Sequence, residues 1–231
     1  MRALALLPVL VGTLATAPAQ GATRHCAAVP ATVHYERAAD ADLACAGAEK
    51  AVRFFAGLGF RADTPITIHI VDAPTVEVAE GYNAPVHGRF NARTNQIYVA
   101  AFANGRPPGR PRRAFRLPFD GDMQRGFVVH EVAHAIVERN FEGDDRPHRV
   151  AHEYIAYAAQ IATLPPALRA RLLDRYRVQG FPDEDAIAPL AHALDPNLFG
   201  VRAYLHFSAP ENGVRFLRHL LSGRFAPNPW Y

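Results

Sequence analysis

The chain has 231 residues, 49% of them hydrophobic and 20% charged, with 25 basic and 22 acidic side chains and a formal net charge of +3. A chain of this length can bury one good core, as one domain or as two small lobes. A net charge so close to neutral gives no indication of a nucleic-acid partner or of attraction to a charged membrane surface.

The first 19 residues have the pattern of a secretory signal. A short apolar run, Leu4 to Leu14, precedes the small residues Ala17-Pro18-Ala19 of a cleavage site. The run is too short to span a bilayer, and no later stretch reaches the roughly 18 apolar residues that a membrane-spanning helix needs. We therefore expect export, with residues 20–231 as a single secreted or periplasmic domain that does not insert stably into a membrane. An uncleaved anchor is the alternative.

The sequence contains two cysteines, Cys26 and Cys45. An even pair in an exported protein is typical of a disulfide, and neither cysteine has the spacing of a metal ligand. We expect a disulfide that ties the mature N-terminus to the first helix.

The first half of the chain predicts one helix and two strands. Apolar residues recur at helical spacing from Asp40 to Leu58, while Pro65–Val71 and Asn95–Ala100 alternate as strands. A loop rich in proline, glycine and arginine follows at residues 103–118. Its arginines could bind an anionic partner, but a solvated connection without a role is the simpler interpretation.

The second half is helical in pattern, which together with the early strands predicts an α+β fold with a small mixed sheet. Asp120 or Asp122 is expected to cap the first of these helices. The later helical runs are Val150–Ile161, Ala167–Val178, Asp183–Leu194, Phe199–Phe207 and Pro210–Ser222.

The most informative segment is His130-Glu131-Val132-Ala133-His134, which has the form H-E-x-x-H. On a helix, residues i and i+4 lie on the same face, so His130 and His134 can bind one zinc ion. Glu131 stays near the metal without being one of its ligands, where it can take a proton from water. The alternative is a buried helix whose histidines bond to backbone or carboxylate groups.

Glu153 lies on the next helical run, where it can supply a third ligand. Three protein ligands leave the fourth tetrahedral position open, as in a catalytic zinc site. His152 is adjacent to Glu153 and should point to a different face, so we do not expect it to be a ligand.

His130-Glu131-x-x-His134 followed by Glu153 resembles the gluzincins, zinc metallopeptidases whose third ligand is a glutamate on the following helix. The resemblance covers residues 127–157. It implies a sheet edge strand that binds extended substrate, either Arg93–Ala100 or Gly88–Asn91. The metzincin pattern fails, because Val137 and Asn140 stand where it requires glycine and histidine.

The resemblance also implies a tyrosine or histidine from a later helix that stabilises the tetrahedral intermediate. Tyr204 and His206 are the candidates by position, with ordinary helix packing as the alternative for each. Tyr157 could bond a metal ligand or be a core tyrosine. Gly88-Arg89-Phe90-Asn91 occupies the region where the aminopeptidase branch holds a free amine, but it lacks that branch's glutamate.

We therefore predict a zinc-dependent peptidase, more specifically an endopeptidase acting on peptide or protein substrates. Hydrolysis of cell-wall peptides by the same zinc chemistry is a second hypothesis. A non-catalytic zinc-binding or interaction module is the third, although such a module has no need of Glu131.

Overall fold

The computed structural model describes residues 21–102, 113–144 and 146–227. The strands are β1 (Ala22–His25), β2 (Ala31–Tyr35), β3 (Ile66–Val71), β4 (Thr75–Ala79), β5 (Tyr82–Pro85), β6 (Gly88–Asn91), β7 (Gln96–Ala100), β8 (Arg113–Ala114) and β9 (Leu117–Pro118). The helices are α1 (Ala38–Gly57), α2 (Gly121–Asn140), α3 (Arg149–Ala162), α4 (Pro166–Tyr176), α5 (Pro189–Leu194), α6 (Pro196–Ser208) and α7 (Gly213–Leu221). The predicted α+β class is confirmed.

Five strands form a mixed sheet in the order β1-β2-β3-β7-β6. The three central strands β2, β3 and β7 are parallel, while β1 and β6 pair antiparallel at the two edges. The two predicted strands correspond to β3 and β7, whereas β1 and β2 were not predicted. Of the two segments considered for the edge, Gly88–Asn91 is the edge strand. The alternative, Arg93–Ala100, is wrong because it contains β7, which has a neighbour on each side.

One face of the sheet packs against helices α1 and α2 and forms the core. Alternate residues of the central strands are fully buried there, among them Val33, Ile68 and Ile97. The two helices cross closely at Gly47, where a Cβ atom would lie 2.6 Å from Cβ of Val128. The disulfide Cys26–Cys45, which the sequence predicted, joins the segment between β1 and β2 to α1.

The opposite face of the sheet carries a row of stacked side chains that crosses four strands in register. The rings of His34 and His69 stack with centroids 4.8 Å apart, and those of His69 and Tyr98 stack at 5.0 Å. The guanidinium of Arg89 lies 4.8 Å from the centroid of the Tyr98 ring. The edge strand β6 is thus held through its side chains as well as its backbone.

Helix α2 begins where the sequence indicated. The Asp120 carboxylate accepts a hydrogen bond from the Met123 amide at 2.9 Å, so Asp120, and not Asp122, is the N-cap. Asp122 instead pairs with Arg125.

The predicted helix Asp183–Leu194 is wrong in its first half, since only Pro189–Leu194 is helical. The reason is Pro189, because a proline disfavours helical geometry at the residue before it. Ala188 is accordingly extended, with φ −111° and ψ 151°. Residues before it form turns, one of which Asp183 stabilises by accepting a hydrogen bond from the Ala186 amide.

The expected signal, residues 1–19, lies outside the described residues, as do residues 103–112 of the arginine-rich loop. The last part of that loop is a small hairpin of β8 and β9. Among the described residues, no helix combines the length and apolar character needed to cross a membrane.

Candidate metal centre

Two histidines of α2 and one glutamate of α3 converge at the edge of the sheet. His130 and His134 lie one helical turn apart on the same face, with ring centroids 4.9 Å apart. Glu153 faces them from α3, with its Oε2 atom 3.4 Å from Nε2 of His130. One ligand atom from each of the three residues lies within 4.8 Å of the others, so this group could hold a metal ion.

The protonation states of His134 and Glu153 suit a metal. Burial lowers the pKa of His134 well below its ordinary 6.5, so its ring is neutral at pH 7. Burial alone would raise the pKa of Glu153, but hydrogen bonds with His130 and His192 hold it well below 4.5. Two imidazoles and one carboxylate fit a transition-metal ion and leave one tetrahedral position for a further ligand.

Glu131 lies beside this group without belonging to it. Its carboxylate accepts a hydrogen bond from the backbone N–H of Phe90 on β6, and burial raises its pKa to about 7. The edge strand comes so close that a Cβ atom at Gly88 would lie 2.5 Å from Oε1 of Glu131. Only glycine can therefore occupy that position with the carboxylate in place.

Two further side chains face the ligand group, and one of them was not predicted. His192 on α5 places Nε2 at 3.4 Å from Oε2 of Glu153. The ring of Tyr157 lies 4.5 Å from that of His130 and 6.2 Å from that of His192, centroid to centroid. Burial, followed by the charges of Glu153 and Glu131, raises the pKa of Tyr157 well above 10, so its hydroxyl remains a proton donor.

Tyr204 and His206 do not line the cleft that contains the ligand group. His206 points from α6 to the hydroxyl of Tyr154, with Nδ1 2.6 Å from that oxygen, and it borders a different cavity. The guanidinium of Arg169 lies over the ring of Tyr204, 5.9 Å from the centroid of that ring. The assignment of these two residues to the site is therefore corrected, because α6 turns them away from it.

The remaining histidines near the site have other partners. His152 borders the cleft, but it is not one of the converging ligands, and its Nε2 atom lies 3.6 Å from Oε1 of Glu138. His148 is the N-cap of α3, where its Nδ1 atom accepts a hydrogen bond from the Val150 amide. The expectation that His152 is not a ligand agrees with this arrangement.

The ligand group lies in a cleft of about 700 Å³ between β6 and helices α2, α3 and α5. Apolar side chains also line the cleft, among them Val86, just before β6, and Phe127 of α2. Arginines 89, 113, 146 and 149 also reach the cleft. The site is thus a cavity of ligand size with a few convergent polar groups, as in small-molecule and peptide sites.

A family model, described as a family of unknown function (DUF6639), matches residues 31–229. The match includes the whole sheet except β1, and all the residues of the metal centre. No curated protein and no solved structure matches the chain.

Proposed function

We propose a function from the site alone, because the chain belongs to DUF6639, a family whose function is unknown. The function is hydrolysis of peptide bonds by a zinc-dependent enzyme of gluzincin type. The observation that carries it is the place of Glu131: a buried carboxylate next to three converging ligands, yet outside that group. A site that only held a metal would have no use for it.

His130, His134 and Glu153 would hold the zinc ion. When bound, zinc would supply Lewis-acid chemistry that polarises a carbonyl and acidifies water. Glu131 takes a proton from the attacking water and later delivers it to the leaving amine. Burial raises its pKa to about 7, and a carboxyl group that titrates near neutral pH can both accept and release a proton.

Tyr157 and His192 are the donors for the carbonyl oxygen of the substrate. Both border the cleft beside the ligand group, and the Tyr157 hydroxyl keeps its proton at all ordinary pH values. Donors that are fixed before the reaction stabilise the charge that develops on this oxygen without reorganising. β6 is an edge strand, so its outward backbone groups other than the Phe90 N–H, which donates to Glu131, can pair with an extended peptide.

The absence of an acidic residue from β6 supports an endopeptidase. An aminopeptidase needs a carboxylate that holds the free amine of its substrate, and β6, with the sequence Gly-Arg-Phe-Asn, carries none. Of the acidic residues that line the cleft, Glu131 and Glu153 have other roles and Glu138 faces His152. The disulfide supports export to an oxidising compartment, as the signal-like segment also indicates.

The test compares metal content and peptide cleavage in three proteins. Wild type should bind about one zinc ion per chain and cleave members of a broad peptide library. Glu131→Gln should keep the zinc but lose turnover by roughly 10²-fold or more. Glu153→Ala should lose affinity for the metal itself, because a buried ligand is removed.

Glu138→Gln is the matched control, since it alters a carboxylate of the same helix outside the ligand group. It should retain both zinc and turnover. Wild-type protein that binds no zinc, or a Glu131→Gln variant that cleaves at the wild-type rate, would exclude the proposed function.

A further inference from the structure

A second, smaller cavity continues the cleft past the end of β6. It has a volume of about 380 Å³ and is lined by Arg89, Phe90, Asn91, Ala92, Arg93 and Arg146. Three of these residues, Arg89, Phe90 and Arg146, also line the cleft that contains the metal centre. We call this extension the arginine pocket, after Arg89, Arg93 and Arg146.

None of the three arginines of the pocket pairs with a carboxylate among the described residues, and the guanidinium of Arg89 lies over the ring of Tyr98. Six other described arginines do form ion pairs with carboxylates, as Arg37 does with Asp40 and Arg116 with Asp195. No acidic residue lines the pocket, and all three of its arginines are exposed. Like charges gathered without a counter-charge create a positive potential that attracts an anion.

The rest of the cleft adds to this positive charge. Arg113 and Arg149 line it, and the two glutamates of the metal centre would be offset by a bound divalent ion. Glu138 is the remaining acidic residue of the lining, and it lies beside His152. The whole protein carries a net charge of only +3, so the positive charge at this wall is a local feature.

The distance along β6 relates the pocket to the reacting bond. Phe90 donates its amide to Glu131, so the substrate residue next to Phe90 lies beside the metal centre. β6 ends at Asn91 and the chain turns at Ala92 and Arg93, whereas an extended peptide would continue past this end at about 3.3 Å per residue. A peptide lying along β6 would therefore reach the pocket with a residue two or three positions from the bond that is hydrolysed.

We propose that the arginine pocket binds a carboxylate of the substrate, so that the cleft selects peptides with an acidic group two or three residues from the scissile bond. This inference rests on the proposed peptidase function. Arginine suits the role because its planar guanidinium forms paired hydrogen bonds with a carboxylate. An acidic side chain and a free C-terminal carboxylate have the same chemistry here, and the test separates them.

The test measures binding, so that it does not depend on turnover. Zinc-loaded Glu131→Gln protein is titrated with fluorescent peptides that differ only by glutamate or glutamine at one position, each made as the C-terminal acid and as the amide. We expect the glutamate peptide to bind about tenfold more tightly at one position two or three residues from the centre. The preference should decline as salt is added. If only the peptides with a free C-terminal acid bind more tightly, the group that the pocket recognises is the C-terminal carboxylate of the substrate.

Arg89→Gln combined with Arg146→Gln should abolish the preference while the glutamine peptide binds as before. Arg171→Gln, an exposed arginine of α4 outside both cavities, is the matched control and should keep it. The thermal midpoints of all variants show whether they remain folded. A second variant, Arg146→Glu, should reverse the charge preference, so that a lysine peptide binds more tightly than the glutamate peptide.

Equal binding of the glutamate and glutamine peptides, or no binding of any acidic peptide, overturns the arginine pocket as a carboxylate site. A preference that survives the double substitution overturns it too. Charge-dependent binding without cleavage by the wild-type protein would instead exclude the peptidase function and leave the pocket's selectivity in place. Failure of the inference and failure of the proposed function are thus told apart.

Discussion

The ring nitrogen Nδ1 of His130 lies 3.1 Å from the side-chain oxygen Oε1 of Gln160, and both side chains are buried. A neutral imidazole donates from one nitrogen only, so a hydrogen bond from Nδ1 leaves Nε2, the nitrogen facing Glu153, free to bind a metal. A residue of α3 thus orients a metal ligand of α2.

Replacement of Gln160 should weaken metal binding. Gln160→Ala removes the acceptor of His130, and loss of such an outer partner typically costs about 10- to 100-fold in affinity. Competition with a chromogenic chelator measures the change. Gln160→Glu keeps an acceptor at the same place and should retain the affinity. Wild-type affinity in Gln160→Ala would show that the hydrogen bond does not orient the ligand.

Gly88→Ala should displace the Glu131 carboxylate, because the new methyl group would lie 2.5 Å from Oε1. A shift of about 1 Å in a catalytic group can cost roughly 100-fold in turnover. Gly57→Ala is the control, since nothing lies within 4 Å of a Cβ atom there.

The same contact can be tested without an activity assay. Urea unfolding should find Gly88→Ala less stable than wild type, but this loss should shrink on a Glu131→Ala background, where the clash is absent. An equal loss on both backgrounds would mean that the new methyl group strains something other than Glu131.

Two tyrosine substitutions, one inside and one outside the cleft, test which hydroxyl stabilises the carbonyl oxygen. Tyr157→Phe should lower kcat about 100-fold, the usual cost of one such donor, with little change in zinc content. Tyr204→Phe removes the same hydroxyl outside the cleft and should leave kcat unchanged. The opposite result would restore the sequence-based assignment to Tyr204.

Metal affinity should depend on pH through His130. Burial would lower its pKa, but the hydrogen bond with Glu153 and the charges of Glu131 and Glu153 together raise it above 6.5. The metal must displace this proton, so below the His130 pKa the apparent affinity should fall about tenfold per pH unit. Above that pKa it should level off. Zinc affinity measured from pH 5.5 to 8.5 checks this, and a flat profile would contradict it.

The disulfide should stabilise the fold without affecting the metal. The Cys26–Cys45 bridge closes a loop with a sequence separation of 19, worth about 3 kcal/mol by the loop-entropy estimate. Cys26→Ala with Cys45→Ala should lose roughly that amount in urea unfolding and keep its zinc, because neither residue lines the cleft. Thiol labelling of unreduced, denatured wild type should find no free cysteine. Two labelled thiols would refute the bridge.

The histidine pair of the ligand group could be predicted from the sequence because helical periodicity decides which residues share a face. His130 and His134 are four residues apart, and Glu153 lies on the next helix, which packs directly against α2. His192 could not be found this way. It is a single histidine in a six-residue helix, and its approach to Glu153 depends on how the C-terminal helices pack.

The same reason explains the errors. Tyr204 and His206 were chosen by their order in the chain, which does not indicate the face that α6 turns towards α3. Strand β2 has only five residues, and one of its two partners is β3, which pairs with it in parallel from the other side of α1 in the sequence. Such distant pairings leave little local signal.

The hydrogen bond from the Phe90 amide to Glu131 joins the edge strand to the metal-binding helices. The residues proposed for catalysis and most of those proposed for substrate selection lie in different parts of the chain. Every side chain assigned to the reaction follows residue 120, whereas two of the three pocket arginines, Arg89 and Arg93, precede it and Arg146 follows it. Related chains could therefore change their substrate preference by substitutions in β6 and the turn after it, while the residues of the reaction stay the same. Sequence variation within the family should accordingly be greater at positions 89 and 93 than at the ligands.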